Sequence, residues 1–517
     1  MKSFRVALCQ VRAYDLEDAE TNLQGILAAL DKAGAAGAQV VGLPECAYPA
    51  YYVRDANPYA RPSVRPFEEV CGLFADKARQ YGYWLAAGIA APTADGRLTN
   101  SGIVFAPDGT RRGQYNKSFL WHFDTYWFER GREWSVWDTG FCRFGILICA
   151  DARQPEIARS LALNGAEVIL DLTAWVSWGR TAGDLSTPQC EYLVPVRAYE
   201  NGVWVAAADK WGTEDRSIVY AGRSTVIDPA GNARVSAETT GDAVVVYDIE
   251  PVATQPVARR PALYARLVEP TNGLAASRLV QQSLTPARER GRIAVVPDGG
   301  AFDAGAVLQR YSQLRAQEAD LVVFAGMDGP EGWQVALPML ESAVRAEGGA
   351  IVVGVRTTSC SATQSVALIT PEATHEHQAT HGRGIITGEM NCPVIETPIG
   401  NIGLLCGDEA LVPEVPRRLA LDGADILAWP IFGPNAMSER IARCRSDENK
   451  VYTAAAWPGG GLVVAPSGAP LIAVPADSCV AMTAAVSRIQ SRMKEMAPHT
   501  DVIADRIPEA YGSLLAT

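Results

Sequence analysis

The feature that most constrains this 517-residue chain is an internal repeat. Strand-like apolar runs open both halves, "FRVALCQVRA" from Phe4 and "GRIAVVPDGG" from Gly291. Each leads into an Ala- and Leu-rich helical stretch and then a second apolar run, "AQVVGLPE" ending at Glu45 and "ADLVVFAG" ending at Gly326. Farther along, "NSGIVFAPDGTRRGQYNK" lines up without a gap on "QSVALITPEATHEHQATH". "PEIARSLALNGAEVIL" lines up on "PEVPRRLALDGADILA", and "RAYENGVWVAAA" on "RSDENKVYTAAA". One such match carries little weight; several in the same order mark two copies of one domain. The expected copies span 1–270 and 291–517. The stretch mixed in Pro, Arg and Ser around 254–292 reads as a C-terminal arm of the first copy plus a linker at 271–290. Within each copy, buried strands alternate with helices, yet hairpins occur too, such as the one turning at Asp108-Gly109. That mixture predicts an α/β fold of layered sheets with helices outside, rather than a purely parallel sheet.

Composition narrows the partners. There are 46 basic against 58 acidic residues, net −12, which argues against nucleic acid or an anionic membrane surface. No apolar run approaches a membrane span. "MKSFRVALCQ" enters a strand pattern without the features of a signal peptide, so the expected location is cytoplasmic. The 11 cysteines are scattered without paired spacing and read as reduced thiols. No CxxC, HExxH, P-loop or GxGxxG pattern appears, so neither a metal nor a nucleotide cofactor is expected.

Three residues at strand ends carry chemistry. "GILICADARQPE" puts Cys149 at the end of a buried strand and before a helical stretch. A thiol there is rigidly held and faces a positive helix N-terminus, which favours thiolate. A cysteine in an apolar run is ordinarily a small core residue, and that reading fits Cys9 and Cys71; the polar flank Asp151 and Arg153 sets Cys149 apart. The first half offers one histidine, His122 in the aromatic stretch "FLWHFD". A carboxylate raised by burial is the other candidate base, and Glu45 ends an apolar strand in "VVGLPECAYP". Lys117 in "GQYNKSFL" sits where a strand gives way to a loop. A lysine beside the thiol would lower its pKa and stabilise an oxyanion.

"LPE" with Glu45, "YNK" with Lys117 and "CADARQPE" with Cys149 resemble the nitrilase superfamily of carbon–nitrogen hydrolases, whose usual form of the last motif is C-x-D-x-x-x-P-E. "RAYENGVWVAAA" and "GRSTVIDPAGNA" extend the resemblance along nearly the whole first copy. It implies an αββα sandwich in which Glu45 is general base, Cys149 nucleophile, and Lys117 with the backbone N–H of Ala150 the oxyanion site. The family's second loop glutamate falls on Asp124 here, a shorter side chain, with Glu129 the next choice. Ala150 replaces the common Trp or Tyr and leaves room for a bulkier acyl group. Arg153 is either a contact to a substrate carboxylate or a member of an internal salt bridge. Tyr48, Tyr51, Tyr52, Trp121, Phe123, Trp127, Trp175 and Trp178 cluster around these segments, and aromatic walls suit small ligands. Tyr51 and Trp175 are the first choices for a pocket wall, with Trp178 after Trp175. The implied reaction is hydrolysis of a small amide or N-carbamoyl (ureido) compound through a thioester. Nitrile hydrolysis and acyl or ammonia transfer are the alternatives by the same route, and a non-catalytic scaffold is another.

In the second copy the same alignment puts Gly326 opposite Glu45 and His381 opposite Lys117, with Cys406 matching Cys149 one residue slipped. Arg445, Glu448 and Asn449 stand opposite Arg197, Glu200 and Asn201. The expectation is a degenerate copy that keeps the fold and a thiol, with a redesigned Cys406–His381 pair as the alternative. Family members commonly pair as αββα-αββα, so tandem four-layer sandwiches packed as an intramolecular pseudo-dimer are expected, with further homo-oligomerisation open.

Overall fold

The strand Phe4–Arg12 is buried along almost its whole length, its apolar run at 6–9 burying consecutive side chains, and so must be covered on both faces. One face, with Ala7, Cys9 and Val11, packs on Leu23, Ile26 and Leu30 of the helix Ala19–Ala35 and on Val70 and Phe74 of the helix Phe67–Tyr81. The other face belongs to a sheet-on-sheet core. The computed structural model describes residues 2–54, 56–252, 257–280, 290–357, 363–382 and 394–516. It resolves into two units, Met1–Pro256 with Ala497–Thr500, and Val257–Met496 with Asp501–Thr517.

In the first unit the order across one sheet is Ile218–Ala221, Lys210–Glu214, Phe4–Arg12, Val40–Gly42, Trp84–Pro92, Leu98–Phe105 and Arg111–Asn116; Ala243–Ile249 also pairs with Phe4–Arg12. The facing sheet runs Ala233–Ser236, Thr225–Ile227, Trp204–Ala208, Val168–Leu172, Arg143–Ile148 and Val136–Asp138. The sheets press closely at Gly102, where an added Cβ would lie 3.0 Å from Leu172 and 3.2 Å from Ile146. Helices Pro155–Leu163 and Val194–Asn201 follow strands of this second sheet. The result is the expected α/β layering, with the strand ends that carry Glu45, Lys117 and Cys149 close together.

The second unit repeats the plan with strands Arg290–Val296, Leu321–Gly329, Ala350–Thr357 and Gln364–Ile369 in one sheet and Gly400–Leu404, Ile426–Pro430, Tyr452–Trp457 and Gly460–Val464 in the other. Alternation is explicit: Ile293 and Val295 enter the inter-sheet core, whereas Ala294 and Val296 face Tyr311, Leu314 and Leu340 of the helices. The fold class is therefore as expected. The boundary differs. Residues 257–270 group with the second unit, not the first, because Arg259 pairs with Glu414 at 2.9 Å, Arg266 with Asp422 at 2.7 Å, and the Tyr264 hydroxyl bonds His381 Nε2 at 2.8 Å. Of the expected linker 271–290, Ala275–Val280 is helical and 281–289 lie outside the described residues. Among the described residues no helix is long and apolar enough to cross a membrane.

Candidate active site

Cys149 begins a short 3₁₀ turn, Cys149–Arg153, directly after the strand Arg143–Ile148. Its φ is +48°, a left-handed conformation that costs a non-glycine residue energy and recurs where a side chain must be aimed. Asp151 holds the turn. Its Oδ2 accepts from Ile148 N–H at 3.0 Å and the Tyr115 hydroxyl at 2.6 Å; its Oδ1 accepts from Ser118 and Phe119 N–H at 3.0 and 2.7 Å. The C-x-D spacing thus ties the cysteine turn to the loop just after Lys117. From below, Arg197 Nε donates to Ala152 O at 2.8 Å and its guanidinium pairs with Glu200 at 2.5 Å.

The end of the strand Val168–Leu172 brackets both Glu45 and Cys149. Glu45 N–H donates to Thr173 O at 3.3 Å, Cys149 N–H to Asp171 Oδ1 at 3.1 Å, and the Cys149 thiol reaches Ala174 O at 3.8 Å. Lys117 Nζ lies 2.6 Å from Glu45 Oε1 and 2.6 Å from Asp124 Oδ2, with all three side chains fully buried. Asn100 Nδ2 donates to the same Glu45 oxygen at 2.7 Å, and its carbonyl accepts Lys117 N–H at 2.8 Å. Trp121 N–H donates to Asp124 Oδ2 at 2.9 Å. Glu129 instead pairs with Arg97 outside this cluster.

Two carboxylates share one ammonium here, so the local balance is negative. Burial, followed by Glu45, pushes the Cys149 thiol well above its usual pKa, and Lys117 opposes this without prevailing. The expected thiolate-favouring effect of strand end and lysine is therefore overridden, because a buried anion beside a carboxylate costs more than the shared lysine returns. Burial also raises Glu45, against the pull of Lys117. Burial alone would lower Lys117; Asp124 and Glu45 outweigh it and hold the amine charged. Burial raises Asp171 as well.

Several buried polar atoms among these residues lack a hydrogen-bond partner: Glu45 Oε2, Asn100 Oδ1, Asp124 Oδ1, Asp171 Oδ2, Thr173 Oγ1 and Trp175 Nε1. Native interiors rarely leave such groups unsatisfied, and a concentration of them marks a place built for a polar ligand or water.

The other expected site residues fall as follows. Ala150 is buried next to Cys149 in its turn. Arg153 is buried with its guanidinium 4.8 Å from the Trp121 ring centre. Trp175 is fully buried, its backbone N–H donating to Asp209 Oδ1 at 2.8 Å. The Tyr51 ring lies 5.6 Å from Lys117 Nζ, in cation–π range. Trp178 is 71% exposed. Sequence reasoning missed Asn100, Asp171 and Glu214. Glu214 is buried and accepts from Tyr51 and Tyr52 N–H, Lys210 Nζ and the Tyr220 hydroxyl, which fixes the wall carrying Tyr51. Asn100 was within reach: counting back across the Asp108-Gly109 turn places it beside Lys117. Among the described residues no group of three His, Cys, Asp or Glu side chains gathers as a metal site.

The second unit corrects two pairings. Lys117 N–H bonds Asn100 O and Ser101 faces Asn116 across the hairpin; Ala379 N–H bonds Gln364 O and Ser365 faces Gln378. The residue equivalent to Lys117 is therefore Ala379, not His381, because the first hairpin carries a bulge at Val104/Phe105 and is two residues longer. Cys406 N–H bonds Glu409 Oε2 as Ile148 N–H bonds Asp151, so Cys406 is the counterpart of Ile148 and lies in the core. Gly407, φ +56°, stands opposite Cys149, φ +48°. Gly326 N–H bonds Ile431 O as Glu45 N–H bonds Thr173 O, so Gly326 does stand opposite Glu45, and an added Cβ there would meet the Phe432 ring at 2.5 Å. His381 is not paired with Cys406; it bonds Tyr264 and Thr380, and burial lowers its pKa to about 4. Arg445, Glu448 and Asn449 repeat the bonds of Arg197, Glu200 and Asn201, with Arg445 Nε on Ala410 O at 2.8 Å.

A family model for carbon-nitrogen hydrolases matches residues 5–259 and 356–489. A nitrilase of Pyrococcus abyssi is 32% identical over 248 residues, covering 48% of this chain and 89% of that protein. The omega-amidase of Homo sapiens is 30% identical over 259 residues, covering 48% of this chain and 90% of that protein. A solved amidase from a Nesterenkonia species is 26% identical, with 48% of this chain and 90% of that chain covered and a TM-score of 0.43.

Proposed function

The chain belongs to the carbon–nitrogen hydrolase family, and from that premise we propose that its first unit hydrolyses a small amide or N-carbamoyl compound through a thioester on Cys149. The observation that carries this reading is the buried Glu45–Lys117–Asp124 chain of 2.6 Å contacts beside a thiol at positive φ. Because the resting thiol is neutral, Glu45 takes its proton as the sulfur attacks the carbonyl carbon. The tetrahedral oxyanion is stabilised by Lys117 Nζ and the Ala150 N–H. Glu45 returns the proton to the departing nitrogen, which leaves as ammonia or an amine. Water then enters, Glu45 accepts its proton, and the acyl–sulfur bond breaks to release the acid and restore the thiol. Asp124 holds Lys117 charged throughout. Tyr51 and Trp175 border the acyl group, with the unpaired Trp175 indole N–H available to a substrate oxygen. Arg153, with its guanidinium over the Trp121 ring, is the residue assigned to a substrate carboxylate.

The test is intact mass. Wild type quenched during turnover, and Glu45→Gln, are incubated with an amide, a nitrile and an N-carbamoyl panel. An acyl or carbamoyl adduct mapped to Cys149 supports the proposal, and the class that adds mass identifies the substrate type. Turnover that survives Cys149→Ala would overturn it. No adduct and no turnover with any class would favour the scaffold reading. The two relatives' names, nitrilase and omega-amidase, keep the nitrile arm of the panel necessary.

A further inference from the structure

We propose that Thr500 is a positioning residue for the Asp124 turn: its hydroxyl clamps the backbone of residues 120–122 and through it sets Asp124 against Lys117. This rests on the hydrolase reading of the same site. Thr500 belongs to Ala497–Thr500, the four residues from the far end of the chain that group with the first unit. It is fully buried. Its Oγ1 accepts His122 N–H at 2.7 Å, across a sequence separation of 378, and donates to Leu120 O at 3.3 Å. Both capacities of the hydroxyl are thus spent on one turn.

Those two peptides flank Trp121. Trp121 N–H donates to Asp124 Oδ2 at 2.9 Å, and Trp121 O accepts Asp124 N–H at 2.8 Å. His122 holds φ +46°, a conformation a non-glycine residue keeps only when its surroundings impose it. Thr500 supplies that restraint at the His122 N–H. Beside it, the Tyr126 hydroxyl meets His499 Nε2 at 2.7 Å and the rings pack at 5.3 Å. One hydroxyl therefore stands one turn away from the carboxylate that shares Lys117 with Glu45. Threonine and serine satisfy this arrangement; valine, of the same shape, cannot. A role confined to satisfying two backbone groups would affect stability alone, whereas positioning of Asp124 must be felt at Cys149, where the field of Lys117 acts.

The experiment uses full-length protein and iodoacetamide as the probe. The Cys149 sulfur displaces iodide, forming a C–S bond while the thiol proton passes to solvent, and the adduct is read at Cys149 by peptide mass across pH 6–10. Thr500→Val is expected to change the alkylation rate at Cys149 at least fivefold or to move its pH midpoint, with Thr500→Ser like wild type. In an Asp124→Asn background Thr500→Val is expected to add nothing. If Thr500→Val does not fold, Thr500→Ala is judged by the same two criteria. An unchanged rate and pH midpoint, or an undiminished effect on top of Asp124→Asn, overturns the proposal. Turnover plays no part in this readout, so survival of amide hydrolysis in Cys149→Ala would defeat the functional reading and leave the Thr500 result to stand or fall separately.

Discussion

Replacing Lys117 by methionine probes the centre of the site. The side chain is similar in length, but the charge vanishes between two fully buried carboxylates, each 2.6 Å from Nζ. Breaking a buried pair by removing one partner costs about 3–5 kcal/mol. For a unit of this size that is a fall in melting temperature of roughly 6–20 °C. The pH dependence has a definite sign. Without the lysine, Glu45 and Asp124 repel each other in a dry site, and the folded state holds a proton that the unfolded chain releases above about pH 4. The folded state then binds more protons than the unfolded one, so stability falls as pH rises through this window. In wild type Lys117 stays charged throughout, because its pKa is raised above the usual amine value. The deficit of Lys117→Met against wild type is therefore small near pH 4 and large at pH 8. Scanning calorimetry at both pH values measures it, and adding Glu45→Gln with Asp124→Asn should restore most of the loss without restoring activity. Equal melting at pH 8, or a deficit that ignores pH, would refute the shared-ammonium account.

Three further outcomes are expected. Cys149→Ala abolishes turnover, whereas Cys406→Ala, in the core, leaves kcat within about twofold; its cost is read in urea unfolding, and equal losses of activity would contradict a single site. The acid limb of kcat/KM lies above the pKa of about 4.3 of a free glutamate, because burial raises Glu45; a limb at or below that value in a stopped assay over pH 3–8 would remove Glu45 as base. Gly407→Cys puts a thiol at the vacated nucleophile position yet gives no second reactive cysteine, since its Cβ would meet Gln364 Oε1 at 1.8 Å and no carboxylate stands at Gly326; iodoacetamide labelling there as fast as at Cys149 would show otherwise.

Much of this was legible in the sequence because the signals are local. Strand ends, the Asp-Gly turn and the C-x-D spacing locate Glu45, Lys117, Cys149 and Asp151 without tertiary information. The family resemblance put Asp124 ahead of Glu129; Asp124 contacts Lys117, whereas Glu129 pairs with Arg97. What the sequence hid is set by contacts across the fold. A one-residue bulge and a turn longer by one residue together lengthen the first hairpin by two, and an alignment without gaps hides both, so it sets Lys117 opposite His381 instead of Ala379. Glu214 reads as an ordinary strand-end glutamate until four donors from three segments converge on it. The direction of the Cys149 shift depends on the sum of burial and three charges, and no motif states that sum.

On the proposed reading, the second unit keeps the sheets and turns of the first and lacks the side chains assigned there to catalysis. Deleting one catalytic side chain would strand the others as buried, unpaired polar groups, at about 1–3 kcal/mol each and more for charges. The loss is therefore collective. The carboxylate position is Gly326, covered by Phe432; the ammonium position is Ala379; the thiol position is Gly407, covered by the Gln364 amide. Polar groups that serve the backbone are kept, though in altered form. Where Asp151 takes the Tyr115 hydroxyl and two loop N–H groups, Glu409 takes His377 Nε2, Thr380 N–H and the Thr380 hydroxyl. Arg445 still braces the same turn as Arg197. The distinction between the two sets is physical: the retained groups hold the strand-to-turn junction closed whether or not a thiol sits on it, whereas the lost ones satisfy mainly one another, as Lys117 and Glu45 do, and leave Glu45 Oε2 without a protein partner.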